Sequence, residues 1–299
     1  MNYINKDQFY KKDYLLIPPC KVFSDEEIKT WCNQAKKTLP KFSKSFSSNN
    51  RFNHTRDMGK IKLFGMPIQH RLNRGVAPND NPLFGKRAVL QIFDWEAHNF
   101  NFVSSIIENK RLIKIAKSLI GSDNISFHNG SLSASYPGYP GVPSYHSDTV
   151  HFATSPEKAL KIKLEKRYQV NFIIYLVDVD QSISPLNLIQ GSYLKLPEVN
   201  NRIAKLLNKP ANKDHFSQSN NCYPEMFPEL LKDSIDVLGE RGSVICLNTG
   251  ALHRETQNTS ANNPRYVIIL SYAENIPEFK RSNFSKIADI KNIYSFYES

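Results

Sequence analysis

His146 and Asp148 place an imidazole and a carboxylate two positions apart. On an extended strand, residues i and i+2 point to the same face, roughly 7 Å apart, so both groups can converge on one cation. A single His-x-Asp triplet carries little by itself. A second imidazole, His253, follows the apolar run SVICL at 243–247 and a turn at Gly250. Two histidines and one carboxylate form the set that holds ferrous iron on one face and leaves positions open for a chelating ligand and for O2. His253 lies more than a hundred residues beyond His146, so the set exists only if the fold joins the two segments.

Arg265 opens the run RYVIILSYA. Alternation along a strand would put Arg265, Val267, Ile269 and Ser271 on one face. An arginine leading an otherwise apolar face is costly unless it meets an anion. Its planar fork matches a carboxylate through two parallel hydrogen bonds. The distal carboxylate of 2-oxoglutarate would suit it while the keto-acid end chelates the metal.

The elements that must position these groups are legible in outline. Ser24-Asp25-Glu26-Glu27 has the form of a capping box, and Ile28, Trp31 and Ala35 follow at helical spacing, so a helix is predicted over 25–38. A second is predicted over 101–119, from Val103, Ile106, Ile107, Leu112, Ile115 and Leu119, with Gly121 as its stop. From Asn124 onward short β-prone runs appear (ISFHNGSLSASY, QVNFIIYLVDV, SVICLNTG, RYVIILSYA), separated by turn signals such as YPGYPGVP and GERG. They predict an antiparallel sandwich or barrel with a short helix near 197–207 in one insertion. The simplest division is one domain over 1–299: a mostly helical part to about 120, a β-rich core over 121–275 and a C-terminal tail over 276–299. No internal repeat or low-complexity linker is present.

Composition narrows the class. With 40% hydrophobic and 22% charged residues the chain reads as a folded globular protein. It has no run of eighteen apolar residues, so no membrane span is expected, and its polar start, MNYINKDQFYKKDY, lacks an apolar leader, which predicts a cytoplasmic protein. Cys20, Cys32, Cys222 and Cys246 form no C-x-x-C pair and are expected to be reduced thiols. The net charge of +11 could favour an anionic partner, but the lysines are scattered rather than clustered. Nothing in the sequence fixes an oligomeric state.

Three segments together resemble the phytanoyl-CoA dioxygenase family: His146-Ser147-Asp148, NFIIYLVDVDQSISPLNLIQGSYLK, and GSVICLNTGALHRETQNTSANNPRYVIILSYA. The opening DYLLIPPCKVFSDEEI resembles that family's start. The resemblance runs from about residue 10 to 275. It implies a mainly β fold with flanking helices, a double-stranded β-helix or jelly roll related to the cupins. It implies Fe(II) on His146, Asp148 and His253, 2-oxoglutarate as cosubstrate anchored by Arg265, and O2 as oxidant. The implied reaction oxidises a small organic metabolite and releases succinate and CO2. Halogenating relatives replace the carboxylate with a small residue; this chain keeps Asp148, which favours hydroxylation or a related oxidation.

The chain also departs from the family. Gly191-Ser192-Tyr193 stands where Gly-Ser-His is usual, and the stretch from His253 to Arg265 is one residue longer. Glu255 takes a place often held by a small hydroxyl residue, with Thr256 as the nearby hydroxyl that can substitute. His151, Tyr145 and Tyr136 are candidate substrate contacts near the mouth, and Tyr136, Tyr139 and Tyr145 line a Pro/Gly-rich approach that could form a substrate lid or pack within the fold. Two other readings compete. One is a nucleic-acid-directed oxygenase, against which stands the lack of any arginine between Arg265 and Arg281. The other is a cupin-like metal-binding protein without oxygenase activity.

Overall fold

Local chemistry sets the helix ends. The computed structural model describes residues 4–45, 62–63, 66–67, 81–91, 103–142, 145–148, 166–196, 198–199 and 228–275. Its helices are α1 (Lys6–Lys12), α2 (Asp25–Thr38), α3 (Val103–Ile107) and α4 (Lys110–Ile120). At the start of α2 the Ser24 hydroxyl accepts from the Glu27 N–H, and the Glu27 carboxylate accepts from the Ser24 N–H at 2.7 Å. The capping box is therefore present, and Ile28, Trp31, Cys32 and Ala35 form the buried stripe behind it. The single helix expected over 101–119 is two helices. Asn109 leaves helical geometry (φ −59°, ψ 110°), and its side chain accepts from the N–H groups of Arg111 and Leu112, which starts α4 afresh. Gly121, at φ 76°, ends α4. The helix expected near 197–207 lies largely outside the described residues. Among the described residues no helix is long and apolar enough to cross a membrane.

The strands are β1 (Tyr14–Ile17), β2 (Ser43–Ser45), β3 (Lys62–Leu63), β4 (Met66–Pro67), β5 (Lys86–Gln91), β6 (Ile125–Ser135), β7 (Gln169–Tyr175), β8 (Leu186–Ile189), β9 (Ser234–Val237), β10 (Val244–Asn248), β11 (His253–Glu255) and β12 (Arg265–Glu274). The large sheet has the order β1-β10-β7-β12-β6-β5-β2, the small one β11-β8-β9, and β3 pairs with β4 alone. An isolated antiparallel bridge joins His146 to His253, so segment 145–148 lies beside β11. From β6 onward the chain passes back and forth between the sheets: β6, 145–148, β7, then β8 with β9, β10, β11 and β12. Ile173, Tyr175, Ile245, Leu247 and Val267 of the large sheet meet Leu186, Leu188 and Val237 of the small one. This is the double-stranded β-helix, or jelly roll.

The N-terminal third is not simply helical, because Tyr14–Ile17 and Lys86–Gln91 are strands that extend the large sheet at either side. The outer face of that sheet carries Phe172, Ile174, Cys246, Ile268, Leu270 and Tyr272, packed on Trp31, Ile115 and Leu119 of the helices. The inner face is split. Leu16, Ile245, Leu247 and Ile173 make one half apolar. On the other half the register sets Ser135 opposite both Arg265 and Arg87, and Ser133 and Ser131 follow along β6 on the same face.

A buried ion pair ties the N-terminus to the end of β10. Asp13, in left-handed geometry at φ 65°, connects α1 to β1. Its carboxylate accepts from the Tyr193 N–H at 2.9 Å and from Asn248 Nδ2 at 2.8 Å, with Arg167 Nη2 at 3.4 Å. The Arg167 and Asp13 side chains are 2% and 0% exposed. Asp13→Ala would strand the Arg167 charge, a change expected to lower the unfolding free energy by about 3–5 kcal/mol. Urea denaturation measures it, and a loss under about 1 kcal/mol would contradict the role assigned to this pair.

Candidate metal centre

Backbone pairing brings the candidate ligands together. The His146 N–H donates to the His253 carbonyl at 2.9 Å and the His253 N–H donates back at 3.0 Å, while the Asp148 N–H reaches the Thr249 carbonyl at 2.7 Å. Such a doubly bonded pair holds its Cα atoms about 5.5 Å apart, and the two imidazole centroids are 4.4 Å apart. His146 Nε2 lies 3.6 Å from Asp148 Oδ1, and His253 Nε2 lies 3.5 Å from Oδ2. One ligand atom from each residue falls within 4.8 Å of the others, and no other such group occurs among the described residues. The His253 side chain is 9% exposed, against 30% for His146 and 24% for Asp148. The centre is therefore closed at β11 and accessible from the opposite side. Two imidazole nitrogens and one carboxylate oxygen, open on one side, suit ferrous iron.

The ligands are oriented from outside the set. His253 Nδ1 lies 2.9 Å from the Ala251 carbonyl, which can only accept. Nδ1 therefore carries the proton, and Nε2 turns its lone pair toward Asp148. Burial is the largest single influence and disfavours the His253 imidazolium, but the Asp148 charge, the contact with the Asp148 carboxylate and the hydrogen bond to the Ala251 carbonyl together exceed it, so the His253 pKa is raised. Asn171 Nδ2 donates to Asp148 Oδ2 at 3.1 Å, and the Ser271 hydroxyl donates to Asn171 Oδ1. Neither residue is singled out by the sequence reading; the available signal is a polar residue inside each of the apolar runs QVNFIIY and RYVIILSYA. Ser192 accepts from the Leu252 N–H at 2.7 Å, which gives the Gly-Ser stretch a role beside His253. Tyr193, in place of the usual histidine, lies with its ring 4.5 Å from the Arg167 guanidinium.

Arg265 is engaged by a carboxylate of the chain itself. Its Nη2 is 2.6 Å from Glu255 Oε1, and its Nη1 donates to the Ser184 carbonyl. Ser184 holds φ at 51°, which a small residue before proline tolerates at some cost in strain. Glu255 also accepts from the Ser135 hydroxyl and from Tyr139 Oη at 3.4 Å. Arg87 Nε is 3.2 Å from Glu255 Oε2, an ion-pair contact without hydrogen-bond geometry. Two guanidiniums and one carboxylate leave a formal excess of one positive charge. Arg265 Nε and Ser133 Oγ are buried without a hydrogen-bond partner. That surplus of charge and donors fits one further carboxylate. The Thr256 hydroxyl donates to the Pro185 carbonyl at 2.9 Å.

The tyrosines sort by strand alternation. Tyr145, next to His146, faces the other way: its hydroxyl donates to Asn187 and lies 3.0 Å from Ser234 Oγ, and the Arg254 guanidinium is 4.6 Å from its ring. Tyr136 packs between the large sheet and the helices, its centroid 6.4 Å from that of Tyr266. Neither is aimed at the three ligands. Tyr139 is the tyrosine of this stretch that approaches the site. Its loop is fastened to the strand after His253: the Val142 N–H donates to Glu255 O at 2.7 Å and the Asn258 N–H to Tyr139 O at 2.9 Å. A Cβ on Gly141, at φ 74°, would fall 2.5 Å from the Thr256 carbonyl carbon, so only glycine allows this approach. His128 is buried and its pKa is pushed down to about 4 by burial, which keeps it neutral. His151 lies outside the described residues.

No family model matches the sequence, and no curated protein does. Solved structures do match. The non-heme alpha ketoglutarate dependent carbocyclase SnoK of nogalamycin biosynthesis superposes with a TM-score of 0.60 at 13% identity, covering 97% of this chain and 94% of that one. The epimerase SnoN, in complex with Fe3+, alpha ketoglutarate and nogalamycin RO, gives 0.56 at 14% identity, covering 90% and 82%. EctD from S. alaskensis with bound Fe gives 0.53 at 15%, covering 90% and 75%. At these identities the likeness establishes the fold, and these proteins are alike in being described with iron or alpha ketoglutarate.

Asn171→Ala removes the donor that orients Asp148. Groups of this kind typically carry ten- to a hundredfold in metal affinity. Titration of wild type and variant with Mn(II), followed by electron paramagnetic resonance, is expected to show about that loss with the fold intact.

Proposed function

We infer that this chain is an Fe(II)- and 2-oxoglutarate-dependent oxygenase that hydroxylates, or otherwise oxidises, a small organic molecule. The observation that carries this reading is the convergence of His146, Asp148 and His253 on one point by backbone pairing, with His146 and Asp148 accessible from one side. In this reading those three residues hold the iron, and Arg265 with Arg87 faces the distal carboxylate of the cosubstrate. The fold would host many chemistries, so the reading rests on the site. The descriptions of the carbocyclase, the epimerase and EctD support it at the level of iron and alpha ketoglutarate.

Bound iron and 2-oxoglutarate would together supply an O2-driven oxidation that yields succinate and CO2. The chain's own part is placement. Asn171 fixes the carboxylate of Asp148, and the Ala251 carbonyl fixes the tautomer of His253. The apolar half of the barrel, with Leu247, Ile245 and Ile173, keeps bulk water from that side.

Anaerobic addition of Fe(II) and 2-oxoglutarate should give a weak visible charge-transfer band, and screening metabolite pools should find compounds that stimulate succinate release. Asp148→Ala should reduce both signals to background. A metal-loaded protein that stays colourless with 2-oxoglutarate would sink the reading and favour a metal-binding protein without oxygenase activity.

A further inference from the structure

We propose that Arg87, Glu255 and Arg265 form a carboxylate subsite in which Glu255 is the resident occupant, released from Arg265 but retained by Arg87 when a dicarboxylate 2-oxo acid binds. The proposal rests on the cosubstrate reading above and concerns how this chain admits that ligand.

Three observations carry it. First, placement: Glu255 is two residues from His253 on one strand, so both side chains enter the barrel from the same face, about 7 Å apart along the chain. Glu255 thus extends from the metal ligand directly to Arg265, with side chains 9% and 5% exposed. Second, charge: Arg87 and Arg265 lie on strands to either side of β6, both opposite Ser135, and Glu255 contacts both. One carboxylate cannot neutralise two guanidiniums, of which that of Arg265 is buried and that of Arg87 largely so, its side chain 17% exposed. Third, unused donors: Arg265 Nε and Ser133 Oγ are buried and unpartnered. In the register of β12, Ser133 is one step from Ser135 toward Ser271, the residue that bonds Asn171 and through it Asp148. The unsatisfied donors therefore extend from the arginines toward the metal ligands, where a ligand joining the two would lie.

The role of Glu255 follows. While it sits on Arg265 it competes with any incoming distal carboxylate. Arg87 gives it a second cationic partner, so its displacement does not leave a buried carboxylate unpaired. The device would set cosubstrate affinity through a residue that touches neither metal nor substrate.

Anaerobic, Fe(II)-loaded protein is titrated with 2-oxoglutarate and, separately, with pyruvate, by calorimetry. Glu255→Gln keeps the shape and removes the competing charge, and is expected to tighten 2-oxoglutarate about tenfold or more, with pyruvate changed by less than about twofold. Because Glu255→Gln leaves two arginines facing each other, the double variant R87M/E255S, which keeps a single positive charge, is measured beside it and should also bind 2-oxoglutarate more tightly than wild type. Unchanged or weaker 2-oxoglutarate binding in the folded variants, or equal tightening of pyruvate, overturns the proposal while leaving the cosubstrate reading intact. If no protein, wild type included, binds 2-oxoglutarate although iron is bound, the cosubstrate reading fails and the subsite fails with it.

Discussion

The reciprocal backbone hydrogen bonds between residues 146 and 253 are the constraint on which the rest of the centre depends. Side chains that must share one ion within a few tenths of an ångström need a rigid support. Here each histidine stands on the backbone of the other. Asp148 inherits its position from the same segment and is then held by Asn171, which reaches across from the large sheet. The centre is therefore a property of the two sheets facing each other, and it exists only when both have formed.

Buried charge recurs in this molecule as a positioning device. Asp13 with Arg167 and Glu255 with Arg265 are both nearly sealed from water. Such pairs stabilise little on balance, because desolvation offsets most of their attraction. What they provide is direction. Asp13 gathers Tyr193, Arg167 and Asn248 at the end of β10, just before the turn that leads to His253. Glu255 gathers Ser135, Tyr139, Arg87 and Arg265 at the other side of His253. The second imidazole thus lies between two polar knots.

Much of this was legible in the sequence, for identifiable reasons. Short β-prone runs and their turn signals predict an antiparallel sandwich or barrel, the family resemblance narrows this to a jelly roll, and the box at Ser24 follows from side-chain chemistry within four residues. His146 and Asp148 stand out because few residue types bind metal and their spacing suits one face of a strand, and His253 because it follows an apolar run and a turn and completes a two-histidine, one-carboxylate set. What stayed hidden depends on partners distant in sequence. Arg265 is visible as an arginine needing an anion, but Glu255 reads only as a departure from a family pattern, and Arg87 lies in KRAVLQ, where nothing marks it. Asn109 is a common loop residue until its side chain is seen capping α4. The sequence does not rank Tyr136, Tyr139 and Tyr145, the tyrosines of the Pro/Gly-rich approach, whereas in the structure Tyr139 is the one that contacts Glu255. A turn-rich stretch has no periodicity from which to tell inward from outward.

The pairing of β1 with β10 has a consequence for how the chain is made. Tyr14–Ile17 forms the edge of the large sheet, and its ladder partner is Val244–Leu247. A ribosome releases the first strand long before the second exists, so through most of synthesis YLLI has no native strand to lie against. Asp13 must likewise wait for Asn248. Closure of the sheet edge is thus a late event governed by contacts very far apart in sequence, the kind that slows folding. In a nascent chain this apolar tetrapeptide needs shielding until its partner strand has been made.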